Sequence, residues 1–392
     1  MHPPTPVQRI RRWHTFLVVW AVHRVLGLGV GALLLLMSVT GGLLVVHHEL
    51  ERWLYPDRHV VVPPGSASDP SALPRAPLTP LVQTLAAEAP PGHRPLRLES
   101  GHRHDESDKL LFVAPDGRTR WAVFINPYTG ATLWRGPDQA LFTPWLLHLH
   151  MHLRSGVAGY IVTGLTGIGL LLLGVTGLYI YRDRLSALWR HPMRLGQGWR
   201  IAFTDLHRWL GVVSIYFTIV LGLTGAIYAF KSIPSAATSR PRPVAAFEFA
   251  RLTAIEPAVT AALERFPEAE LFRIAFPATP EAPLTLTVLH RDAPVWRKFS
   301  RVEFDATTGT VRAVRDARKA APGDQFASML APLHFGLFGS PLTKVLYAIG
   351  GFAPAALSMT GFAIWWLRTR RSASATTSPG LPRYAPSAAG GS

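Results

Sequence analysis

The sequence predicts an integral membrane protein, mainly α-helical: a four-helix transmembrane bundle built from two parallel internal repeats, with two small α+β modules outside the membrane. Three observations lead there. Segments 25–46, 155–181, 209–230 and 345–367 are nearly free of charge, and each is long enough to cross a bilayer, which takes about 20 apolar residues. Arginines cluster at one end of each segment. The second half of the chain lies on the first half with one constant offset of 184 residues.

The first segment follows "RIRRWH" and has the outline of a signal peptide. Its apolar core is 22 residues, beyond the roughly 7–15 of a signal sequence, and no small-x-small cleavage site follows. It therefore reads as a retained anchor. Arg9, Arg11 and Arg12 precede it; Arg182, Arg184, Arg190, Arg194 and Arg200 fill the loop between the second and third segments; Arg368, Arg370 and Arg371 follow the fourth. By the positive-inside rule both termini and that loop are cytoplasmic. The expected order is an N-terminus and first span (1–48), a first external module (49–147), a second span (148–181), a cytoplasmic loop (182–206), a third span (207–230), a second external module (231–333), a fourth span (334–367) and a disordered cytoplasmic tail (368–392) rich in Ser, Ala, Pro and Gly.

Within 49–147, a Pro/Ser/Ala-rich linker (61–80) gives way to "LRLES", "KLLFVAPDG" and "WAVFINPYTGATLWR", short β-favouring runs separated by turn residues. Within 231–333, "LTLTVLHRD" and "SRVEFDATTGTVRAV" have the same character. In each module a strand ends at Asn126 or Asp305, and a Thr-Gly turn leads to the next strand. Stretches near 78–88 and 253–266 read as helices.

Composition narrows the chemistry. Of 392 residues 48% are hydrophobic and 16% charged, with 40 Lys+Arg against 24 Asp+Glu for a net charge of +16. The basic residues border the spans, so the partner they imply is the lipid bilayer and not nucleic acid. The absence of cysteine removes iron–sulfur clusters, thiol catalysis and covalently attached haem. No glycine-rich nucleotide loop follows a strand, so an NAD(P)H site is not expected in this chain.

The offset sorts the 16 histidines. His14, His47, His48, His148 and His152 fall on Gly198, Lys231, Ser232, Pro332 and Gly336, and have no twin. His23 falls on His207 and His150 on His334. Parallel repeats are related by a two-fold axis along the membrane normal, which brings each pair to one depth on opposite sides of the axis. Two facing imidazoles suit an iron in a flat macrocycle held axially from both sides, so His23/His207 and His150/His334 are the expected metal ligands of two non-covalent b-type haems. Arg24 and Arg208 are placed to pair with haem propionates, although they serve equally as positive-inside anchors. Gly27, Gly29, Gly31, Gly164, Gly167 and Gly169 would leave room for the cofactors, whereas the repeated Thr-Gly pairs read as helix packing. His48 returns almost to the helical face of His23 and is a reserve ligand for the external site; His148 and His152 leave open which imidazole binds there. Trp121, Trp134 and Trp145 could line a docking surface, or belong to an interfacial aromatic belt.

The stretches "HRVLGL", "TGGLLVVHHELERWLYP", "NPYTGATL", "LHMHL", "TGLYIYR", "DLHRWLG", "FDATTGTV", "PLHFGLFG" and "TGFAIWW" resemble the PepSY-associated transmembrane family, over about residues 15–371. The family includes bacterial inner-membrane siderophore reductases with two b-type haems. The resemblance implies an oxidoreductase that takes electrons from a membrane or cytoplasmic donor and reduces ferric siderophores in the periplasm, releasing iron for uptake. It also implies that the external modules are PepSY-like. Two alternatives remain open at this point: a cytochrome b with a quinone or sulfur oxyanion as acceptor, and a non-enzymatic transport or regulatory subunit.

Overall fold

The computed structural model describes residues 6–65, 75–101, 103–188, 190, 193–238, 255–279 and 281–376. Part of the 61–80 linker and the tail from 377 onward lie outside the described residues. In chain order the first half contains α1 (Pro6–Val45), α2 (His47–Leu54), α3 (Pro56–His59), α4 (Leu78–Glu88), β1 (Arg94–Glu99), β2 (Asp108–Val113), β3 (Arg120–Ile125), β4 (Thr132–Pro137), α5 (Phe142–His152) and α6 (Gly156–Tyr181). The second half contains α7 (Leu185–Leu188), α8 (Trp199–Val213), α9 (Ile215–Thr238), α10 (Ile255–Arg265), β5 (Glu270–Ala275), β6 (Leu284–Leu289), β7 (Phe299–Phe304), β8 (Val311–Arg315), α11 (Pro322–Ser328), α12 (Leu330–Phe335) and α13 (Pro341–Thr376).

Four helices are long and apolar enough to cross a membrane: Val7–Val45, Gly156–Tyr181, Ile215–Ala237 and Pro341–Arg370. A chain in lipid must satisfy its own backbone polar groups, and helices do so within one segment. The spans differ in detail from the sequence expectation. α1 begins 19 residues earlier than the apolar run at 25, because the arginine-rich lead continues the helix. The third span is interrupted at Ser214, whose backbone leaves the helical region (φ −91°, ψ 6°), so α8 is a separate helix that leads into α9. α5 ends in left-handed residues Leu153 and Arg154 (φ 51° and 54°), and α12 ends at Gly336 (φ 70°). The external histidines His150 and His334 therefore stand on short helices beside the spans and not on the spans themselves.

α1 packs against α6 and α13, α6 against α9, and α13 against α8 and α9, which closes a four-helix ring. Two of these contacts bring backbones together. On α6 and α9, a Cβ on Gly167 would lie 3.0 Å from the Gly222 carbonyl oxygen, and one on Gly222 would lie 2.9 Å from that of Gly167. On α1 and α13, the Ser38 hydroxyl bonds the Gly351 carbonyl oxygen and accepts from the Ala355 amide at 3.0 Å. Those two backbone groups are spaced as i and i+4, so Ser38 inserts into the helix ladder next to Pro354, where proline has already weakened it.

The external strands pair into a single antiparallel sheet, in the order β4-β3-β2-β1-β5-β6-β7-β8. The two small modules expected from the sequence are thus two four-stranded halves of one domain, joined where Leu98 of β1 lies opposite Ile274 of β5. Alternation sends Leu98, Leu110, Phe112, Ile274, Leu286 and Phe304 to one face, where α4 and α10 cover them with Val82, Leu85, Ile255 and Ala262 in a common core. Both hairpin turns close as the sequence indicates. The side chain of Asn126 accepts from the Tyr128 amide at 2.9 Å, that of Asp305 accepts from the Thr308 amide at 2.8 Å, and each turn ends on a left-handed glycine, Gly130 or Gly309.

Backbone contact at the α6–α9 crossing makes a prediction. Gly222→Val should force the two helices apart and leave little monodisperse protein on size exclusion in detergent. Gly29→Val, whose Cβ meets nothing within 4 Å, should purify like the parent.

Candidate functional site: two histidine pairs in the bundle

His23 on α1 faces His207 on α8, with ring centroids 6.5 Å apart and ring planes crossing at 87°. His150 on α5 faces His334 on α12 at 6.3 Å and 43°. Each ring is partly buried. A metal held between two imidazole nitrogens, with bonds of roughly 2.0 Å and each nitrogen about 1.1 Å from its ring centre, would set the centroids about 6.2 Å apart. Both pairs fit that spacing.

The four histidines share one environment. Thr176 Oγ1 lies 2.9 Å from His23 Nδ1, Thr360 Oγ1 from His207 Nδ1, Thr40 Oγ1 from His150 Nδ1 and Thr224 Oγ1 from His334 Nδ1, all at the same distance. Each threonine hydroxyl also reaches the carbonyl four residues earlier on its own helix: Leu172 at 2.7 Å, Ala356 at 2.8 Å, Leu36 at 2.8 Å and Val220 at 2.7 Å. A hydroxyl has one proton. Given to the backbone, it leaves only lone pairs for the imidazole, so Nδ1–H is the donor in all four contacts. In the neutral ring Nε2 is then the unprotonated nitrogen, which is the state a metal ligand requires.

The glycine after each threonine seats the ring. A Cβ on Gly41 would lie 2.9 Å from His150 Cε1; on Gly177, 3.3 Å from His23; on Gly225, 3.3 Å from His334; and on Gly361, 3.4 Å from His207. The Thr-Gly pairs therefore do more than pack helices: they orient the imidazoles. Their signal in the sequence was the shared offset. The glycines expected to make room divide into two kinds. Gly164 and Gly167 admit Phe230 and the α9 backbone, Gly169 meets Val30, Gly27 meets Leu173, and Gly29 and Gly31 face open space.

Thr40 and His23 stand on the same helix, 17 residues apart, so the two sites are separated by about 26 Å along α1. That is most of the roughly 30 Å hydrocarbon core.

The remaining candidate residues are placed as follows. Arg24 is exposed and lies over the Trp20 ring at 4.8 Å. Arg208 reaches the buried Asp205 at 3.3 Å, and Arg194 of the loop between the second and third spans grips the same carboxylate with two bonds of 3.0 Å. His48 stacks on His47 at 4.1 Å and lines a surface cleft of about 360 Å³ with Glu49, Arg52, Trp53 and Arg103. His148 lies 5.3 Å from His152, and His152 packs on Tyr160. Of the tryptophans, Trp134 packs on Phe124 beneath the Arg58 guanidinium, Trp121 packs against the core, and Trp145 is exposed.

The family model described as the PepSY-associated TM region matches residues 20–368. The chain belongs to this family. An uncharacterized protein of Pseudomonas aeruginosa is similar to this PepSY-associated chain, with 35% identity over 82 residues, covering 21% of this chain and 20% of that protein. The match spans about a fifth of that curated relative's length.

Removing a threonine hydroxyl strands a buried Nδ1–H. Thr176→Val and Thr360→Val should each lower the stability of the bundle by about 1–3 kcal/mol, read as a drop in thermal midpoint in detergent. Thr360→Ser should recover most of the loss.

Proposed function

We propose that the protein is a bacterial inner-membrane oxidoreductase in which His23/His207 and His150/His334 hold two b-type haems, carrying electrons across the membrane to ferric iron in periplasmic siderophore chelates. The observation that carries this reading is the spacing of the two pairs together with the tautomer that the threonines impose. Nothing about simple packing requires four histidines to keep Nε2 unprotonated. Haem held by two imidazoles supplies one-electron transfer at an iron whose coordination positions are filled.

The residues of the chain then have separable tasks. The histidines hold the metal, and the Thr-Gly pairs fix ring orientation. The span helices exclude water between the two levels. Arg24 and Arg208 supply positive charge at the level where propionates would emerge, with Arg208 pre-positioned by Asp205. In this reading the halves are parallel repeats about an axis along the membrane normal, both termini are cytoplasmic, and the sheet is periplasmic. The donor is a quinol or a separate reductase. Reduction weakens the hold of hard oxygen ligands on iron because Fe(II) carries less charge, so no general acid or nucleophile is needed. His48, on the sheet side of α1, is left to the cleft it lines.

Purified protein should show a b-type reduced-minus-oxidised spectrum with about two haems per chain. His207→Ala and His334→Ala should each lower the haem content from two to one while the protein still purifies folded. The 87° and 43° ring crossings should make the two remaining low-spin signals differ between these variants. A colourless preparation would end the proposal. Dithionite-reduced protein should be reoxidised anaerobically by ferric siderophores; reoxidation by quinones or sulfur oxyanions alone would keep the haems and replace the acceptor.

A further inference from the structure

The sheet has a second face, and its centre is cationic. Leu98 and Ile274 enter the core at the β1–β5 junction, so alternation turns Arg97, Glu99 and Arg273 to the opposite side. Arg97 and Arg273 are equivalent in the two halves, each preceding its core residue at the junction. Both reach one carboxylate oxygen: Arg97 Nε lies 2.9 Å and Arg273 Nη2 3.1 Å from Glu99 Oε1. Arg120, at the start of β3, is a third guanidinium, close enough to feel Arg97, Asp138 and Glu99. Asp138 is engaged by Lys109 at 2.8 Å. Two guanidiniums thus share the Glu99 carboxylate, with a third close by.

They are also partly removed from water. The side chains of Arg97, Arg273 and Glu99 are 34%, 39% and 29% exposed, and burial pulls Arg120 and Arg273 below the ordinary guanidinium range. A cationic excess at intermediate burial costs solvation that a bound anion offsets, and planar guanidiniums match carboxylates bidentately.

This face lies on the side of the bundle. In the first half α3 and the turn at Asp138–Ala140 pack against it, over buried Leu111, Ala122 and Phe124. The register puts Thr287, Arg301 and Glu303 at the corresponding places in the second half. Where one half is apolar and covered, the other is polar, with Arg301 exposed.

We propose that Arg97, Arg120 and Arg273, extended by Arg301, form a binding site for a carboxylate-bearing small anion on the bundle-facing side of the sheet. Glu99 is the internal carboxylate that such a ligand displaces. The anion site stands on the sheet geometry alone; its use as a dock for an anionic chelate above His150/His334 rests on the electron-transfer reading.

The test uses full-length protein in neutral detergent and citrate as probe, followed by calorimetry. Citrate should bind saturably, and more weakly as salt is raised. Arg97→Gln/Arg273→Gln should weaken binding about tenfold or more. Glu99→Gln, which keeps every arginine and removes the competing carboxylate, should tighten it several-fold. Arg135→Gln, an exposed position on β4 paired with Glu88, should leave it unchanged. Citrate affinity unmoved in the double variant, no tightening in Glu99→Gln, or no binding by either the parent or Glu99→Gln would each overturn the site. Because citrate carries no electron, a colourless protein that binds it would remove the haem reading and keep this one; a di-haem protein that ignores citrate would do the reverse.

Discussion

A threonine hydroxyl within a helix has one proton, and in four places here it goes to the helix's own backbone. What remains is an acceptor aimed at a histidine from another helix. That single constraint settles which nitrogen of the neutral imidazole keeps its hydrogen and which way the ring turns. It also ties helices together: α1 to α6 through His23 and Thr176, α8 to α13 through His207 and Thr360, α5 to α1 through His150 and Thr40, and α12 to α9 through His334 and Thr224. The site and the bundle are therefore not separable. Polar contacts inside a membrane are few, and these fall at the levels of the two histidine pairs.

Between those levels the helices meet by close approach, and the two halves solve the problem differently. Gly167 against Gly222 lets backbones touch on α6 and α9. At the positions 184 residues away, Ser38 replaces the glycine and inserts its hydroxyl into α13 beside Pro354, so a broken ladder bond is repaired from outside the helix. Equivalent positions thus carry the same spatial role with unlike chemistry. The sheet shows the same divergence. Its core face is alike in both halves, while the opposite face is apolar and covered on one side and polar on the other.

The duplication was legible because twin residues lie at a constant separation whatever their surroundings, and it singled out the same four histidines that the structure brings into pairs. It also marked the Thr-Gly dipeptides, but not their purpose. A hydroxyl beside a glycine in an apolar run has the same local pattern whether it packs a helix or orients a ligand; the distinction lies in a residue 110 or 153 positions away. His48 illustrates the opposite error. Its helical phase matches that of His23, yet α1 ends at Val45 and α2 begins at His47, so phase no longer carries across, and the side chain lines a cleft at the surface.

By itself the sequence determined the spans, the strand–turn–strand rhythm, the clustering of arginines at span ends and the constant separation of the paired histidines, because these depend on local composition and on spacing along the chain. Only the tertiary structure decided that two sets of strands form one sheet, that His150 and His334 stand on short helices beside the spans, and which nitrogen of each ring is free. Those follow from hydrogen bonds between distant segments. Such bonds form only when the chain has folded, and neighbouring residues carry no record of them.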